Sequence, residues 1–519
     1  MRQPPDPIVV AANQSHPKGL YLLFFTEMWE RFSYYGMRAI FMLFMVQALF
    51  MSDRDASNVY GSYTGLVYLT PLLGGYISDR FWGNRRSILV GGLLMAIGQF
   101  LLFFSASLIT DSGQSAAAIS AMWAGLTFLI IGNGFFKPNI STMVGQLYPA
   151  NDPRIDRAFT IFYMGINLGA LFSPLVCGGL GDTGNIFDFK WGFLAAGIGM
   201  LMGTLTFELL KNKYLVHDDG TPVGMPKQKM DMQTILTILG SVAFIFVLLN
   251  FKTWFRSEID LIGYLIYGAM IAMPIVIFSD KSLVKEEKQR ISVIFILAFF
   301  VIFFWACFEQ AGASLTLFAD RQTDRHIGGW EMPASYFQSV NPIFIIALAP
   351  LFSMLWGFLG KRGMEPSSPL KMALGLALLA LGYVVIAFGV HGVDPSAKIS
   401  MWWLITLYGL HTMGELCLSP IGLSMVSKLA PVRLSSLLMG TWFLANAAAN
   451  KFAGTLSALI PPSADDIEAG IVEKIPNFFG FEIDNLFSFF LVFIALSGTA
   501  AILLLAIHRW LQKRMHGVN

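Results

Sequence analysis

Long apolar blocks recur along this chain, and each is long enough for a helix to cross a bilayer. A transmembrane helix needs about 20 predominantly apolar residues to span roughly 30 Å of hydrocarbon. Of the 519 residues, 55% are hydrophobic and only 13% are charged. A soluble chain of this length would instead divide into several domains with polar surfaces. The sequence therefore predicts an all-α polytopic membrane protein.

The apolar blocks number fourteen, and short polar connections join them. An even number of crossings places both termini on one side, and Lys and Arg concentrate in the segments on that side, as they do in cytoplasmic loops. We therefore expect 14 transmembrane helices with both termini in the cytoplasm. The predicted spans are 20–50, 59–78, 87–108, 116–139, 159–180, 191–210, 232–249, 261–278, 291–318, 335–358, 370–390, 399–418, 434–460 and 487–510.

Similar short sequences occur in the same order in the two halves of the chain. The segment KPNISTMVGQLYP at 137–149 aligns without gaps with SPIGLSMVSKLAP at 419–431. Further along, YMGIN at 163–167 corresponds to WFLAN at 442–446 at nearly the same offset. Each match is short, but their shared order and spacing indicate an internal repeat.

A third correspondence involves charged residues, and it completes a plan of two six-helix halves. Phe25, Glu30 and Arg31 correspond to Phe304, Glu309 and Gln310. Parallel six-helix halves are the plan of the major facilitator fold, in which the substrate binds between the halves near mid-membrane. Two extra spans between the halves have no counterpart, and Asp260 precedes the second of them. The predicted domains are a tail at 1–19, a bundle at 20–211, a linker with the extra helix pair at 212–289, a bundle at 290–511 and a tail at 512–519.

The loop after the second span carries the sequence GGYISDRFWGNRR, at 74–86. It resembles the signature loop of the facilitator superfamily, in which an Asp at a helix end meets basic residues of a tight cytoplasmic turn. We expect Gly75 to allow close helix approach and Asp79 to bridge to Arg85 or Arg86. The alternative is a generic basic turn.

The first span contains the charged stretch EMWERFSYYGMR, from Glu27 to Arg38. A charge at mid-membrane costs about 2.5–3.5 kcal/mol on insertion scales, so such residues face a bundle interior or a wet cavity. The spacing places the charges and both tyrosines on one helix face. Their formal charges cancel, and Glu27 and Arg31 are one turn apart. A functional site is favoured over a purely structural polar cluster.

Other polar residues stand alone in apolar spans, so their partners must come from other helices. Lys137, Glu309 and Glu415 have no opposite charge within one helical turn of their own span. We expect the fourth span to pack against the first, so that Lys137 reaches Glu27 and Glu30. The remaining polar positions are Asn167, Asn341 and Asn446, a hydrogen-bonded core histidine (His411), a structural or snorkelling lysine (Lys451) and three packing cysteines (Cys177, Cys307, Cys417).

Three of these stretches carry a family resemblance. EMWERFSYYGMR resembles the ExxERFxYYG signature of the proton-dependent oligopeptide transporters, and FYMGINLGALFSP at 162–174 and GELCLSP at 414–420 resemble the family's other two signatures. The resemblance covers the whole chain, including the helix pair typical of bacterial members. It implies symport of di- and tripeptides with protons across the bacterial plasma (inner) membrane. It implies no cofactor other than the coupling proton, no nucleic acid and no obligate protein partner.

The resemblance and the chemistry of a dipeptide together assign roles to the polar residues. Guanidinium groups can bind the peptide carboxylate, while Glu415 with Asn167 and Asn341 would take the ammonium. The expected substrate site comprises Arg31, Tyr35, Arg38, Tyr68, Lys137, Tyr163, Asn167, Trp305, Phe308, Asn341, Glu415, Ser419 and Trp442. Proton coupling is assigned to Glu27, Glu30, Arg31, Lys137 and Glu309, with Glu309 as the main carrier. Gate salt bridges are assigned to Arg38, Glu309, Lys137 and Glu415.

Departures from the family pattern leave other carriers open. Some members place a proton-linked histidine in the second span where this chain has Gly61. Related carriers transport nitrate or other anions, and drug antiporters share the fold. The acidic and basic residues retained here favour peptides over these, without excluding another zwitterion. An enzyme is not expected, because His411 is the one histidine well inside a span and no nucleophile or metal set accompanies it.

Overall fold

The computed structural model describes residues 15–110, 115–149, 152–217, 219–226, 232–255, 259–394, 397–462 and 475–517. These residues form two compact units. The first unit holds the described residues up to Phe44 and those from Leu69 to Phe255. The second holds Met45–Tyr68 and the described residues from Ile259 onward.

Seven long helices supply the first unit, and one of them, α2, belongs to it only in its second half. They are α1 (Lys18–Leu43), α2 (Asp53–Ile77), α3 (Gly83–Ser107), α4 (Ala116–Gln146), α5 (Ile155–Ser173), α6 (Phe189–Tyr214) and α7 (Met232–Phe255). The π-helical turns Phe44–Ala48, Ser78–Trp82 and Pro174–Gly178 and the short helix Gly179–Gly181 lie at helix ends. Helix α1 packs against α5 and α6, α3 against α4 and α6, and α7 against α4.

The second unit contains the other long helices and six short strands. The helices are α8 (Leu261–Phe278), α9 (Lys285–Phe308), α10 (Val340–Lys361), α11 (Ser368–Val390), α12 (Met401–Leu429), α13 (Ser435–Ser457) and α14 (Leu486–Arg514). Helix α11 packs against α12 and α14, α9 against α13 and α14, and α8 against α13. The two extra helices therefore divide, since α7 packs within the first unit and α8 within the second.

The connections of the second unit include short helical turns and two-residue strands. The 3-10 turn Glu309–Gly312 and the helix Ser314–Arg321 follow α9, the 3-10 turn Ala334–Ser339 precedes α10, and the 3-10 turn Val432–Leu434 precedes α13. The strands are β1 (Thr323–Asp324), β2 (His326–Ile327), β3 (Trp330–Glu331), β4 (Ile399–Ser400), β5 (Asn477–Phe478) and β6 (Phe481–Glu482). Strands β1 and β4 pair in parallel, while β2–β3 and β5–β6 are antiparallel.

A helix lies at each of the fourteen predicted spans. Within the described ranges, nine helical runs are long and apolar enough to cross a membrane by length and composition. One of these runs, 53–107, covers two predicted spans, and α1 is not among them because it carries the charged stretch. The exact number of crossings stays a prediction. The predicted ninth span, 291–318, lies within one of these runs, 285–321, in which α9 continues into a 3-10 turn at Glu309–Gly312.

The loop after α2 does not make the contacts predicted for it. The Arg85 guanidinium donates hydrogen bonds to the carbonyl oxygens of Val223 (2.6 Å) and Leu215 and to the side chain of Asn212 (2.9 Å). Among the residues that the structure describes, no ion pair joins Asp79 to Arg85 or Arg86. The predicted Asp79 bridge is therefore wrong, because backbone carbonyls of the segment after α6 satisfy Arg85.

The glycine that permits close approach is Gly74 and not Gly75. A Cβ atom on Gly74 would lie 2.0 Å from the carbonyl oxygen of Gly134 in α4. A Cβ on Gly75 would meet nothing closer than Pro138, at 3.7 Å. The predicted close packing of α2 exists, one residue earlier.

The first half of α2 packs inside the second unit, antiparallel to α13. The hydroxyl groups of Ser57 and Ser457 lie 2.9 Å apart. A Cβ on Gly61 would lie 2.7 Å from the Cα of Gly454, so the two backbones touch and a larger side chain has no room there. The absence of a histidine at position 61 thus has a packing reason.

Candidate functional site

The charged residues of α1 form a buried cluster in the first unit. Glu27, Glu30 and Arg31 are at most 3% exposed. The Arg31 guanidinium is in contact with the Glu30 carboxylate, with Nη2 donating to Oε1 at 2.7 Å, and its Nε lies 3.3 Å from Glu27 Oε1. Glu27 Oε2 is buried and accepts no hydrogen bond from any described residue. One guanidinium therefore contacts two carboxylates.

Aromatic rings continue the same face of α1 toward Arg38. The Arg31 guanidinium carbon lies 5.2 Å from the Tyr34 ring centroid and 5.9 Å from that of Tyr35. The Arg38 guanidinium lies 5.8 Å from the Tyr35 ring. Cation–π contacts of this kind stabilise guanidinium groups away from bulk water. Tyr35 thus lies between two arginines, as the single-face prediction required.

Helix α4 adds a second cation and an amide to this cluster. Helices α1 and α4 are in contact, and Lys137 interacts electrostatically with Glu27. One turn before Lys137, Asn133 Nδ2 donates to Glu30 Oε1 at 3.3 Å. The prediction that the fourth span packs against the first is confirmed. Asn133 was missed, although its position four residues before Lys137 places it on the same face of α4.

The second unit contains two predicted site carboxylates, Glu309 and Glu415. They are 5% and 8% exposed, and they interact electrostatically with each other. Asn341 Nδ2 donates both to Glu415 Oε2 and to Thr412 Oγ1, at 2.9 Å each. Glu415 forms no ion pair within the described part of the chain. Thr412, missed from the sequence, lies one turn before Glu415.

Aromatic side chains of α9 lie beside this carboxylate pair. The rings of Trp305 and Phe308 meet edge to face, with centroids 5.2 Å apart. Phe308 lies 6.2 Å from the ring of His411, which is buried and hydrogen-bonded to the backbone of Leu379. This environment agrees with the interpretation of His411 as a core histidine. Trp305 and Phe308 are half-buried, so part of each apolar ring surface is exposed.

Asn167 and Asn446, equivalent in the repeat, make equivalent hydrogen bonds. Asn167 Nδ2 donates to the Tyr163 carbonyl at 2.9 Å, and Asn446 Nδ2 donates to the Trp442 carbonyl at the same distance. Each amide thus donates to a carbonyl one turn earlier on its own helix. Asn139, Asn250 and Asn450 make the same kind of bond, so it is a general feature of helix asparagines in this chain.

The remaining predicted site residues are placed as follows. Trp442 is 5% exposed, and its ring covers Gly422 so closely that a Cβ there would lie 2.2 Å from the ring. Tyr68 and Ser419 are half-buried in the second unit, and Tyr163 is 44% exposed on α5 in the first. The predicted residues are therefore divided between the two units.

Two polar contacts of the second unit were not predicted. Arg321 and Asp53 form a bidentate ion pair, with N–O distances of 2.6 and 2.9 Å, between the short helix after α9 and the start of α2. Gln310 Nε2 donates to the carbonyl of Ala453 in α13 at 2.9 Å. The partners in these contacts are far apart in the sequence, so local spacing does not predict them. No group of three metal-ligating side chains occurs among the residues with described positions.

Comparison with known proteins identifies relatives over nearly the whole chain. Residues 85–470 match the sequence profile of the POT family. The chain is 35% identical over 482 residues to the peptide transporter YePEPT of Yersinia enterocolitica, covering 89% of this chain and 90% of that protein.

Solved structures show the same fold. A mutant of a peptide transporter POT in complex with alafosfalin superposes with a TM-score of 0.79 and 32% identity, covering 99% of this chain and 100% of that one. A POT family transporter in complex with 5-aminolevulinic acid gives a TM-score of 0.78 and 32% identity, covering 96% of this chain and 97% of that one.

Proposed function

The chain belongs to the POT family of transporters, and we propose that it imports di- and tripeptides together with protons by alternating access. Its fold is the major facilitator fold, and it is a multi-pass membrane protein and not an enzyme. The observation that carries the proposal is the pair of charge clusters. One contains the cations Arg31 and Lys137, and the other contains Glu415 oriented by Asn341.

A dipeptide offers chemistry that suits both clusters. Every dipeptide has an ammonium, a carboxylate and an amide at similar separations, while its side chains vary. We assign the Glu415 carboxylate, held by Asn341, to the peptide ammonium, together with Asn167. Arg31, Arg38 and Lys137 are the candidates for the peptide carboxylate, since guanidinium groups bind it bidentately.

The rest of the proposed substrate site serves the backbone and the variable side chains. Tyrosine hydroxyls hydrogen-bond the peptide backbone, and aromatic surfaces accept side chains of different shapes. This part of the site comprises Tyr35, Tyr68, Tyr163, Trp305, Phe308, Ser419 and Trp442. The half-buried positions of Trp305 and Phe308 support this role.

Glu309 is the proposed main proton carrier. It is 5% exposed and interacts electrostatically with a second carboxylate, Glu415. Glu27, with its unsatisfied oxygen, is the next candidate, together with Glu30. Binding of proton and peptide to one carboxylate set would couple the two fluxes.

The proposed gates are salt bridges that proton and peptide break. The family resemblance pairs Arg38 with Glu309, and Lys137 and Glu415 are the other residues assigned to gate salt bridges. Neutralising Glu309 releases Arg38, for which the peptide carboxylate then competes. A neutral dipeptide with one proton moves net positive charge inward, driven by about 2.3 kcal/mol per 100 mV as well as by the pH gradient.

We propose the bacterial inner membrane as the location, with both termini in the cytoplasm. The excess of Lys and Arg in the segments on the side of the N-terminus supports this orientation. No protein partner is needed for the mechanism, and lipid surrounds the outward apolar faces.

A second candidate is transport of another zwitterion. A POT family transporter is known in complex with 5-aminolevulinic acid, which has an ammonium and a carboxylate but no peptide bond. The same two clusters could hold its two charges. Direct competition with a peptide distinguishes the candidates.

Uptake of labelled dialanine into vesicles containing the purified protein tests the proposal. Accumulation above the external concentration under an inward proton gradient, and equilibration without it, is the expected result. 5-Aminolevulinic acid is added as competitor in a parallel series. Absence of dialanine uptake, with uptake of labelled 5-aminolevulinic acid, would transfer the proposal to the second candidate.

A further inference from the structure

Lys451 is a buried cation outside both charge clusters. It lies on α13 and is 3% exposed. Its ammonium is 2.8 Å from Asp260 Oδ2 and donates to Ser62 Oγ at 2.9 Å. A charge in a membrane span faces the protein interior and is paired. Here the counter-ion, Asp260, lies at the start of α8, one of the two helices that the repeat does not explain.

The two oxygens of Asp260 perform different tasks. Oδ1 accepts a hydrogen bond from the backbone N–H of Gly263, at 3.1 Å, and so caps the N-terminus of α8. Oδ2 forms the ion pair with Lys451. The cap fixes the carboxylate on the helix, and the carboxylate fixes the position of the ammonium. Asp260 thus holds Lys451 from a rigid element.

Helix α8 has further contacts at the same place. Tyr267 of α8 shares a side-chain hydrogen bond with Thr455 of α13. A Cβ added to Gly65 of α2 would meet Ile266 of α8 at 3.1 Å and the Lys451 side chain at 3.4 Å. Three helices, α2, α8 and α13, therefore meet around the Lys451 ammonium.

Helix α2 contributes a neutral group, the Ser62 hydroxyl, to the contacts of the Lys451 ammonium. Ser62 lies in the first half of α2, the segment that packs along α13 through Ser57 and Gly61. A hydroxyl that leaves an ammonium loses one hydrogen bond, while the Lys451–Asp260 pair remains intact within α13 and α8. The arrangement can hold and release α2 without stranding a charge.

We propose that Asp260 is a positioning residue that holds the Lys451 ammonium against Ser62, so that the extra helix α8 helps to keep the first half of α2 on α13. This gives the extra helix pair a part in the conformational cycle of the transporter. The inference goes beyond the proposed substrate and needs neither peptide nor protons.

Disulfide formation between Ser57→Cys and Ser457→Cys reports the contact directly, because the native hydroxyls are 2.9 Å apart. The experiment uses the full-length protein in vesicles, with Cys177, Cys307 and Cys417, all free, replaced by Ala. Asp260→Asn keeps the capping oxygen but loses the charge. We expect it to slow crosslinking about tenfold by lowering the population of the packed state.

Two comparisons complete the test. Asp280→Asn, at the exposed end of α8, removes an equal charge away from Lys451 and should leave the rate unchanged. Lys451→Met should slow crosslinking, and adding Asp260→Asn to it should slow it no further, since Asp260 acts through Lys451. Asp260→Ser, which also retains a capping oxygen, serves as a second variant. An unchanged rate in both Asp260 variants, or additive slowing in the double variant, would overturn the proposal.

Discussion

Glu30 and Glu309 occupy equivalent positions in the repeat, yet their surroundings differ. Helix α1 continues unbroken past Glu30, and the next residue, Arg31, binds its carboxylate. At Glu309, α9 gives way to a 3-10 turn, and the next residue is Gln310, whose amide binds the backbone of α13.

The difference separates two ways of burying a carboxylate. In the first unit, Arg31 forms ion pairs with Glu27 and Glu30, and Lys137 interacts electrostatically with Glu27. In the second unit, Gln310 occupies the repeat position of Arg31, and its neutral amide hydrogen-bonds to the backbone of α13. Glu309 interacts with the like-charged Glu415. In the first cluster cations balance the carboxylates, whereas the Glu415 carboxylate of the second accepts its hydrogen bond from a neutral amide, that of Asn341. Divergence of one repeat position, from Arg31 to Gln310, has thus made the two clusters chemically different.

Removing the cation of the balanced cluster should have the largest effect. Arg31→Met strands two buried carboxylates, at a cost of about 3–5 kcal/mol. The matched change Gln310→Met removes only neutral hydrogen bonds and leaves a carbonyl unsatisfied, at about 1–3 kcal/mol. The melting temperature of the purified protein in one detergent should fall further for Arg31→Met.

A compensating change sharpens this test. Adding Glu30→Gln to Arg31→Met leaves one stranded carboxylate instead of two, so part of the lost melting temperature should return. If Arg31→Met and Gln310→Met lower the melting temperature equally, the two repeat positions do not differ in the way described.

The next largest effect concerns the proton. Glu309→Gln permanently mimics the protonated side chain, so it should still exchange labelled for unlabelled dialanine at equal pH. It should lose the concentrating uptake that one inward pH unit drives, about tenfold for a one-to-one symport. Accumulation ratios in vesicles measure this. Retained accumulation would move the proton site to Glu27 or Glu30 in the other cluster.

Glu415 tests whether the second cluster receives the peptide ammonium. Glu415→Gln should weaken dialanine binding by tenfold or more, corresponding to about 1.5–3 kcal/mol for a charged hydrogen bond. N-acetyl-dialanine, which has no ammonium, should bind wild type poorly and be little affected by the change. Binding measured by competition in detergent decides it, and an equal loss for both ligands would remove Glu415 from this role.

The smallest effect is expected for Asn167 and Asn446, which make the same hydrogen bond in the two halves. Asn167→Ala and Asn446→Ala each remove the same helix hydrogen bond, worth about 0.5–1.5 kcal/mol, so they should lower the melting temperature equally. Only Asn167 is assigned to the substrate. A raised KM for dialanine in Asn167→Ala alone would agree with that assignment, whereas a rise in both would extend the site to Asn446.

Most of what could be predicted from the sequence rests on residue type and on spacing within one helix. The α1 cluster follows from helix periodicity alone, because Glu27 and Arg31 are one turn apart. The contact of α4 with α1 followed from a lysine that needed a partner. These features depend on residue type and spacing, both of which are visible in the sequence.

Partners far apart in the chain, and acceptors on the backbone, could not be predicted. Arg85 was assigned to Asp79 because a nearby carboxylate is visible in the sequence, whereas the carbonyls of Val223 and Leu215 carry no sequence signal. The Lys451–Asp260 pair joins a core helix to an extra one, and no spacing rule connects them. The 3-10 turn at Glu309 has no counterpart in the apolar periodicity of the span.

Because α2 belongs to both units, its two halves meet their packing partners at different times during biosynthesis. In its second half, Thr70 donates to the carbonyl of Ile130, 60 residues later. In its first half, Ser57 meets Ser457, 400 residues later. At about 5–20 residues per second, the first partner emerges in roughly 3–12 s and the second only after roughly 20–80 s. During that interval the small, polar face of the first half of α2 lacks its final neighbour, so one continuous helix completes its assembly at two different times.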